Sequence, residues 1–190
     1  MERSSMTILI ASDIHGDAVA CRRVLELYEG LSAERLVLLG DLLYHGPRND
    51  LPEGYAPKEV IALLSAYKDG IICVRGNCDA EVDQMVLPFS IMDEHRKMAV
   101  DGRLWHLSHG HRAGCNPTEG EIPRLPAGSV LLTGHTHIPT LTVTEDGVLL
   151  LNPGSTSIPK GGYRASCALY RDGRFSVLTL DGKTVMQTEP

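Results

Sequence analysis

The stretch Gly134-His135-Thr136-His137 puts two imidazoles one residue apart in a loop, straight after the apolar run Val130-Leu131-Leu132-Thr133. Imidazole binds metals and exchanges protons near neutral pH. Alone, such a pair is commonly just solvated or locally hydrogen-bonded. Four more loops follow apolar runs in the same way: Asp13-Ile14-His15, Gly40-Asp41, Gly76-Asn77-Cys78-Asp79 and His109-Gly110-His111. An Asp after a strand is often only a turn residue or a helix cap. Five such loops together supply seven donors, Asp13, His15, Asp41, Asn77, His109, His135 and His137, which is much harder to obtain by chance. Mixed carboxylate and imidazole donors suit manganese, iron, zinc or a similar divalent ion. Seven exceed the needs of one ion and fit two ions that share a bridging carboxylate.

The elements that must position these loops read as an α/β chain. Thr7 to Ser12 and Arg35 to Leu39 have the continuous apolar pattern of strands buried on both faces. Between them Asp17 suits a helix N-cap, Ala20, Val24, Leu27 and Tyr28 repeat at helical spacing, and Gly30 stops the helix. A parallel opening of this kind places ligand sites beyond the carboxyl ends of its strands. A Pro- and Gly-rich loop runs from Tyr44 to Ala56, a length that is usually functional or a surface excursion. Pro57 then fits the first turn of a helix with Val60, Ile61, Leu64 and Tyr67 inward, and Ile71 to Val74 reads as a third buried strand. A short helix is expected over Ala80 to Val86.

The second half reads as hairpins. Ser90 to Val100 pairs with Arg103 to Ser108 around Asp101-Gly102, Thr140 to Thr144 with Val148 to Leu151, and Ser166 to Tyr170 with Arg174 to Leu180 around Asp172-Gly173. Arg112 to Gly128 is expected to be loop with a short helix. The expected fold is α/β (α+β) over one domain spanning residues 1–190, with residues 1–5 flexible. Two sheets pack as layers, the α/β part in front, the hairpins behind, and helices outside.

Composition narrows the function. Of 190 residues 43% are hydrophobic and 22% charged, as in an ordinary globular protein, and no apolar run approaches the ~20 residues of a membrane span. With no secretory segment before the first strand, a cytoplasmic location is expected. Cys21, Cys73, Cys78, Cys115 and Cys167 are scattered and odd in number, which reads as reduced thiols. The net charge of −6 and the lack of a basic stripe disfavour extended nucleic-acid binding. A small phosphorylated substrate remains compatible if bound metals invert the local field. Hairpin edges and the long loop could support a homo-oligomer.

In order, the five motifs resemble those of the calcineurin-like metallophosphoesterases. The stretches His45-Gly46-Pro47-Arg48-Asn49, Leu51-Pro52-Glu53-Gly54-Tyr55, Asn152-Pro153-Gly154-Ser155 and Ile158-Pro159-Lys160-Gly161-Gly162 look like the YfcE-type bacterial phosphodiesterases within that family. The resemblance implies a four-layer sandwich of two mixed β-sheets flanked by helices. It implies that Asp13, His15 and His137 bind one divalent ion, that Asn77, His109 and His135 bind a second, and that Asp41 bridges them. Manganese is the first candidate, with iron, zinc, nickel and magnesium as alternatives. The implied activity is hydrolysis of small phosphodiesters, with in-line attack by a hydroxide shared between the ions. A phosphomonoesterase of the same family is one alternative. A catalytically silent scaffold is another, with the retromer subunit of this fold as precedent; here every ligand position is filled by a competent donor.

Cys78 departs from the wider family, where His in this place can donate a proton to the leaving oxygen. A thiol is a much weaker donor. In related enzymes the Cys form leans towards diesters over alkyl monoesters, although Cys78 could equally be a small residue packed beside the site. His111 could reach the pocket as a catalytic group or stand free on the surface. His45, Arg48 and Asn49 could line the entrance and bind substrate, Arg suiting phosphate geometry. Arg75 suits phosphate or a surface salt bridge. Asp79 reads as a cap for the helix after it. Asn152 and Ser155 are expected to shape a turn behind the site.

Overall fold

Short apolar runs, each cut off by glycine or a turn residue, become short strands. The computed structural model describes residues 6–112 and 123–188. The first sheet contains β1 (Ile8–Ala11), β2 (Arg35–Leu38), β3 (Ile71–Cys73), β9 (Ser166–Arg171), β10 (Arg174–Thr179) and β11 (Thr184–Gln187), in the order β11-β10-β9-β1-β2-β3. The second contains β4 (His95–Val100), β5 (Arg103–Ser108), β6 (Val130–Leu132), β7 (Thr140–Val143) and β8 (Leu149–Asn152), in the order β4-β5-β6-β8-β7. Both are mixed: β1, β2 and β3 run parallel, as do β5, β6 and β8, and the outer pairs are antiparallel.

Side chains that alternate along β1 build two cores. Ile8 and Ile10 point between the sheets and join Val37, Leu39, Trp105, Leu107, Val130 and Leu132, all fully buried. Trp105 there packs edge-on to Tyr170, with ring centroids 4.9 Å apart. Leu9 and Ala11 point the other way and meet α1 (Ala18–Gly30) and α2 (Pro57–Ser65) through Val24, Leu25, Val60 and Leu64. Each fully buried aliphatic side chain is worth about 1.5–3 kcal/mol relative to exposure. The Asp17 carboxylate caps α1 by accepting from the Ala20 N–H at 2.9 Å, and Pro57 opens α2. The hairpin turns Asp101-Gly102 and Asp172-Gly173 have positive φ at both residues, as their tight two-residue loops require.

Several expectations change. β3 is an edge strand, so Ile71 and Ile72 are only half-buried. Residues 90–94 are not in a strand, and β4 begins at His95. Tyr67 lies past the end of α2, before a single 3-10 turn at Lys68–Gly70, and packs edge-on against Tyr28. The third hairpin does not join the back layer: β9 pairs antiparallel with β1 and extends the front sheet. β11 follows at its edge, with its residues mostly exposed. The helix expected after Asp79 is the four-residue α3 (Glu81–Gln84). Residues 1–5, Cys115 and most of the segment expected to hold a short helix lie outside the described residues. Among the described residues no helix is long and apolar enough to cross a membrane.

The parallel strands bring their carboxyl ends to one rim. There neighbouring loops of each sheet are tied together, the Asp13 N–H donating to the Gly40 carbonyl at 3.1 Å and the Gly134 N–H to that of His109 at 2.9 Å, and the His135 N–H crosses between the sheets to Asp13 Oδ2 at 3.0 Å.

Candidate metal centre

Five of the seven predicted donors leave their strands in the left-handed region: Asp13 at φ 55°, His15 at 49°, Asp41 at 57°, His135 at 69° and His137 at 60°. Few residues other than glycine adopt this region, and Asp and His are among the more tolerant. Such conformations gather at functional sites, where surrounding contacts hold them in place. Two glycines permit the close approach. A Cβ on Gly76 would lie 2.1 Å from Asp41 Oδ1, and one on Gly134 would lie 2.0 Å from Ser12 Oγ.

Three imidazoles are oriented from behind. Nδ1 of His15 meets the Tyr44 carbonyl at 2.8 Å, that of His109 the Leu39 carbonyl at 2.6 Å, and that of His137 the Ile158 carbonyl at 2.7 Å. A carbonyl can only accept, so each Nδ1 carries the proton and each Nε2 is directed inward. His15 Nε2 lies 3.3 Å from His137 Nε2 and 3.5 Å from Asp13 Oδ1. His137 Nε2 is 3.2 Å from the same oxygen. His109 Nε2 is 3.4 Å from Asp41 Oδ2 and 3.1 Å from Asn77 Oδ1. Asp13 Oδ1 is buried and has no hydrogen-bond partner.

This is a set of acceptors facing one another, which protons or cations must reconcile. Burial disfavours charge on His109, yet Asp13 and Asp41 outweigh it and hold its pKa up at about 9. Burial acts to raise Asp13, but His109, His137 and His15 pull its carboxyl well below the usual range. A centre that draws positive charge this strongly fits divalent metal ions. Among the described residues three groups of donors lie close enough to hold an ion: Asp13 with His15 and His137, His15 with Asp41 and Cys78, and Asp13 with Asp41 and His109.

The remaining residues divide. Asn77 and His135 line the same cavity of about 460 Å³ as His15, Asp41 and His137. The His135 ring stands beside that of His109, centroids 5.2 Å apart, but outside the tight donor groups found among the described residues. The half-buried Cys78 thiol is on the cavity wall, grouped with His15 and Asp41, and burial followed by the Asp41 charge pushes its pKa up. Arg48 and Asn49 line the cavity. His45 does not; it packs edge-on against Tyr44 and Tyr55, with centroids 4.7 and 5.4 Å away. His111 faces a neighbouring groove with Arg75, Asn77 and Arg112, its ring centroid 5.3 Å from that of His109. Burial and then the charges of His109 and His135 lower its pKa to about 4, so it is neutral at pH 7. Arg75 sits 3.5 Å from Glu94 and donates to the Asp79 carbonyl.

Asp79 does not cap α3, whose first turn is instead closed by Asp83 accepting from the Ala80 N–H at 2.9 Å. The buried Asp79 carboxylate accepts from the backbone N–H groups of Asp41, Leu42 and Gly76 at 2.8, 2.9 and 2.7 Å. Asn152 donates to the Gly134 carbonyl at 2.7 Å and Ser155 to that of Asp13 at 2.8 Å, so both hold donor loops from behind. Sequence reasoning gave no role to Lys160, which lines the cavity, or to Ser157, which donates to the Asp13 carbonyl at 3.1 Å. The only signal was the position of both within or beside the stretch from Asn152 to Gly162 that carried the resemblance.

Residues 6–171 match the model of the calcineurin-like phosphoesterase superfamily domain. Phosphodiesterase YfcE of Escherichia coli (strain K12) is 43% identical over 181 residues, which cover 95% of this chain and 96% of the relative. The solved structure of YfcE, a phosphoesterase from E. coli, superposes with a TM-score of 0.91 over 96% of this chain and 98% of its own, at 43% identity. Vacuolar Protein Sorting 29 from Cryptosporidium parvum shares the fold, with a TM-score of 0.65 over 97% of each chain at 18% identity. With the two mixed sheets, the motif order and these likenesses in agreement, the chain belongs to the calcineurin-like phosphoesterase superfamily.

Proposed function

We propose that this protein is a metal-dependent phosphodiesterase acting on small phosphodiesters. The observation that carries the reading is the buried Asp13 Oδ1, which lacks a hydrogen-bond partner and faces the inward Nε2 atoms of His15 and His137. Asp13, His15 and His137 would hold one divalent ion, Asn77, His109 and His135 a second, and Asp41 would stand between them. Manganese is the first candidate. Bound there, a pair of such ions would lower the pKa of water and offset charge on phosphoryl oxygens.

The protein's own groups do the rest. The carbonyls of Tyr44, Leu39 and Ile158 keep three imidazoles in the metal-binding tautomer. Arg48 and Asn49 offer donors to substrate at the cavity wall. Cys78 remains a neutral thiol, and His111 stands beside His109 and His135 as a neutral imidazole. With no strong acid at the leaving oxygen, diesters with good leaving groups are favoured. Manganese-loaded protein should therefore hydrolyse bis(p-nitrophenyl) phosphate faster than p-nitrophenyl phosphate, and chelator should abolish both activities. Faster monoester turnover would reverse the assignment towards a phosphomonoesterase. Cys78→His should raise the monoester share.

The ligand division gives a second test. His137→Ala and His135→Ala should each lower the metal content by one ion per chain, as read by elemental analysis, and each should deplete a different site. Equal loss of both ions from each variant would count against the split. The scaffold reading has fold likeness alone behind it. A cytoplasmic location and a homo-oligomeric assembly complete the proposal, with light scattering on the purified protein as the check on assembly.

A further inference from the structure

We propose that Arg48 and Lys160 form a cationic clamp on the catalytic cavity that selects phosphodiesters with a further phosphate on one ester arm. The inference rests on the phosphodiesterase reading above and adds a substrate class to it. Both side chains are exposed, and both line the cavity that contains His15, Asp41 and His137. They arrive from different segments. The Lys160 backbone N–H donates to the His137 carbonyl at 3.1 Å, while the His137 ring donates to the Ile158 carbonyl at 2.7 Å. The segment that carries Lys160 is thus tied to both ends of one proposed ligand. Arg48 lies in a turn closed by the Asn49 side chain donating to the His45 carbonyl at 2.8 Å. That turn lies against the site, since a Cβ on Gly46 would meet Cys78 Sγ at 3.2 Å.

Neither cation is spent on the protein. Among the described residues, neither side chain makes a hydrogen bond or an ion pair, whereas Arg75 and Arg112 are both paired with Glu94. Charge counting then decides what they are for. Two divalent ions outweigh the carboxylates of Asp13 and Asp41 by two charges, and a simple diester supplies only one negative charge. Two more cations beside that centre are surplus for such a substrate, and they suit one with a second anionic group. Arg offers a planar fork and Lys a mobile point charge, both common partners of phosphate.

A matched pair of substrates tests the clamp: the p-nitrophenyl ester of thymidine 5′-phosphate with and without a 3′-phosphate. The wild-type KM should be lower for the phosphorylated compound by roughly tenfold, the gain from about one exposed charge-assisted hydrogen bond. Lys160→Gln and Arg48→Gln should each erode that ratio, and the double variant should bring it close to one. Calorimetric binding of thymidine 3′,5′-bisphosphate against thymidine 5′-monophosphate should show the same preference without turnover. Equal KM values and equal affinities in the wild type, or a preference that survives in the double variant, would overturn the clamp. If no metal supports hydrolysis of bis(p-nitrophenyl) phosphate, the phosphodiesterase reading fails, and the calorimetric comparison still decides the clamp.

Discussion

Asp41→Asn is expected to reduce phosphodiesterase activity by on the order of a thousandfold or more, with metal content falling from two ions to at most one per chain. The argument begins with the backbone. Asp41 has φ 57°, and Asn is among the few residues that accept this region, so the turn survives the substitution. The oxygen that accepts from the Cys78 N–H at 2.7 Å is also retained. What changes is the other oxygen, which lies 3.4 Å from His109 Nε2 and 3.8 Å from His15 Nε2 and so touches both halves of the centre. With its oxygen kept on the Cys78 N–H, the amide would turn its NH₂ group towards the proposed ions, and NH₂ offers them no acceptor to bridge. In the metal-free protein burial acts against the Asp41 charge, but His109 outweighs it and holds the carboxyl below its usual range, so the change removes a charge that the fold favours. The melting temperature without metal should therefore fall, and the gain on adding manganese should shrink. Two tightly bound ions and near wild-type turnover in the variant would remove Asp41 from its proposed bridging role.

The donor positions were legible because each needs a rare combination: a competent side chain, the end of a buried strand, and a glycine or a tolerated left-handed residue beside it. His15, Asp41 and His137 meet these conditions within a few residues of sequence. Sheet membership is decided by distant partners. Nothing local in Ser166 to Tyr170 says that it pairs with β1 rather than joining the second sheet, because its side chains are buried on both faces, Cys167 in one core and Ala168 and Tyr170 in the other. The half-exposure of Ile71 and Ile72 follows from the lack, among the described residues, of a strand beyond β3, which is a property of the whole sheet. His45 failed for a related reason. Nearness in sequence to Asp41 brought it to the entrance loop, but the aromatic faces of Tyr44 and Tyr55 took the ring.

The role of Asp79 was hidden because an Asp before a short helix looks like a cap whether or not it serves as one. Its contacts predict the second large effect. One oxygen accepts from the N–H groups of Asp41 and Gly76, and the other from Leu42, so a single carboxylate joins the loops after β2 and β3. Asp79→Ala leaves three amide donors without their acceptor inside the fold. The expected loss is roughly 3–5 kcal/mol, partly relieved by water that enters the gap. For a chain of this length that lowers the melting temperature by on the order of 10 °C. Activity should fall with it, because Asp41 and Asn77 ride on the two loops that come apart. Asp79→Asn separates charge from geometry. Burial, and next the Asp41 charge, raise the Asp79 pKa against the pull of the three N–H groups, so ionising it in the fold is unfavourable. The amide oxygen of Asn can still accept from Asp41 and Gly76 while its NH₂ faces Leu42, which loses one bond but also removes the buried charge. The Asn variant should therefore lose only about 1 kcal/mol and retain most metal binding. Equal destabilisation by Ala and Asn would mean that the negative charge, and not the reach of two acceptors, holds the loops together.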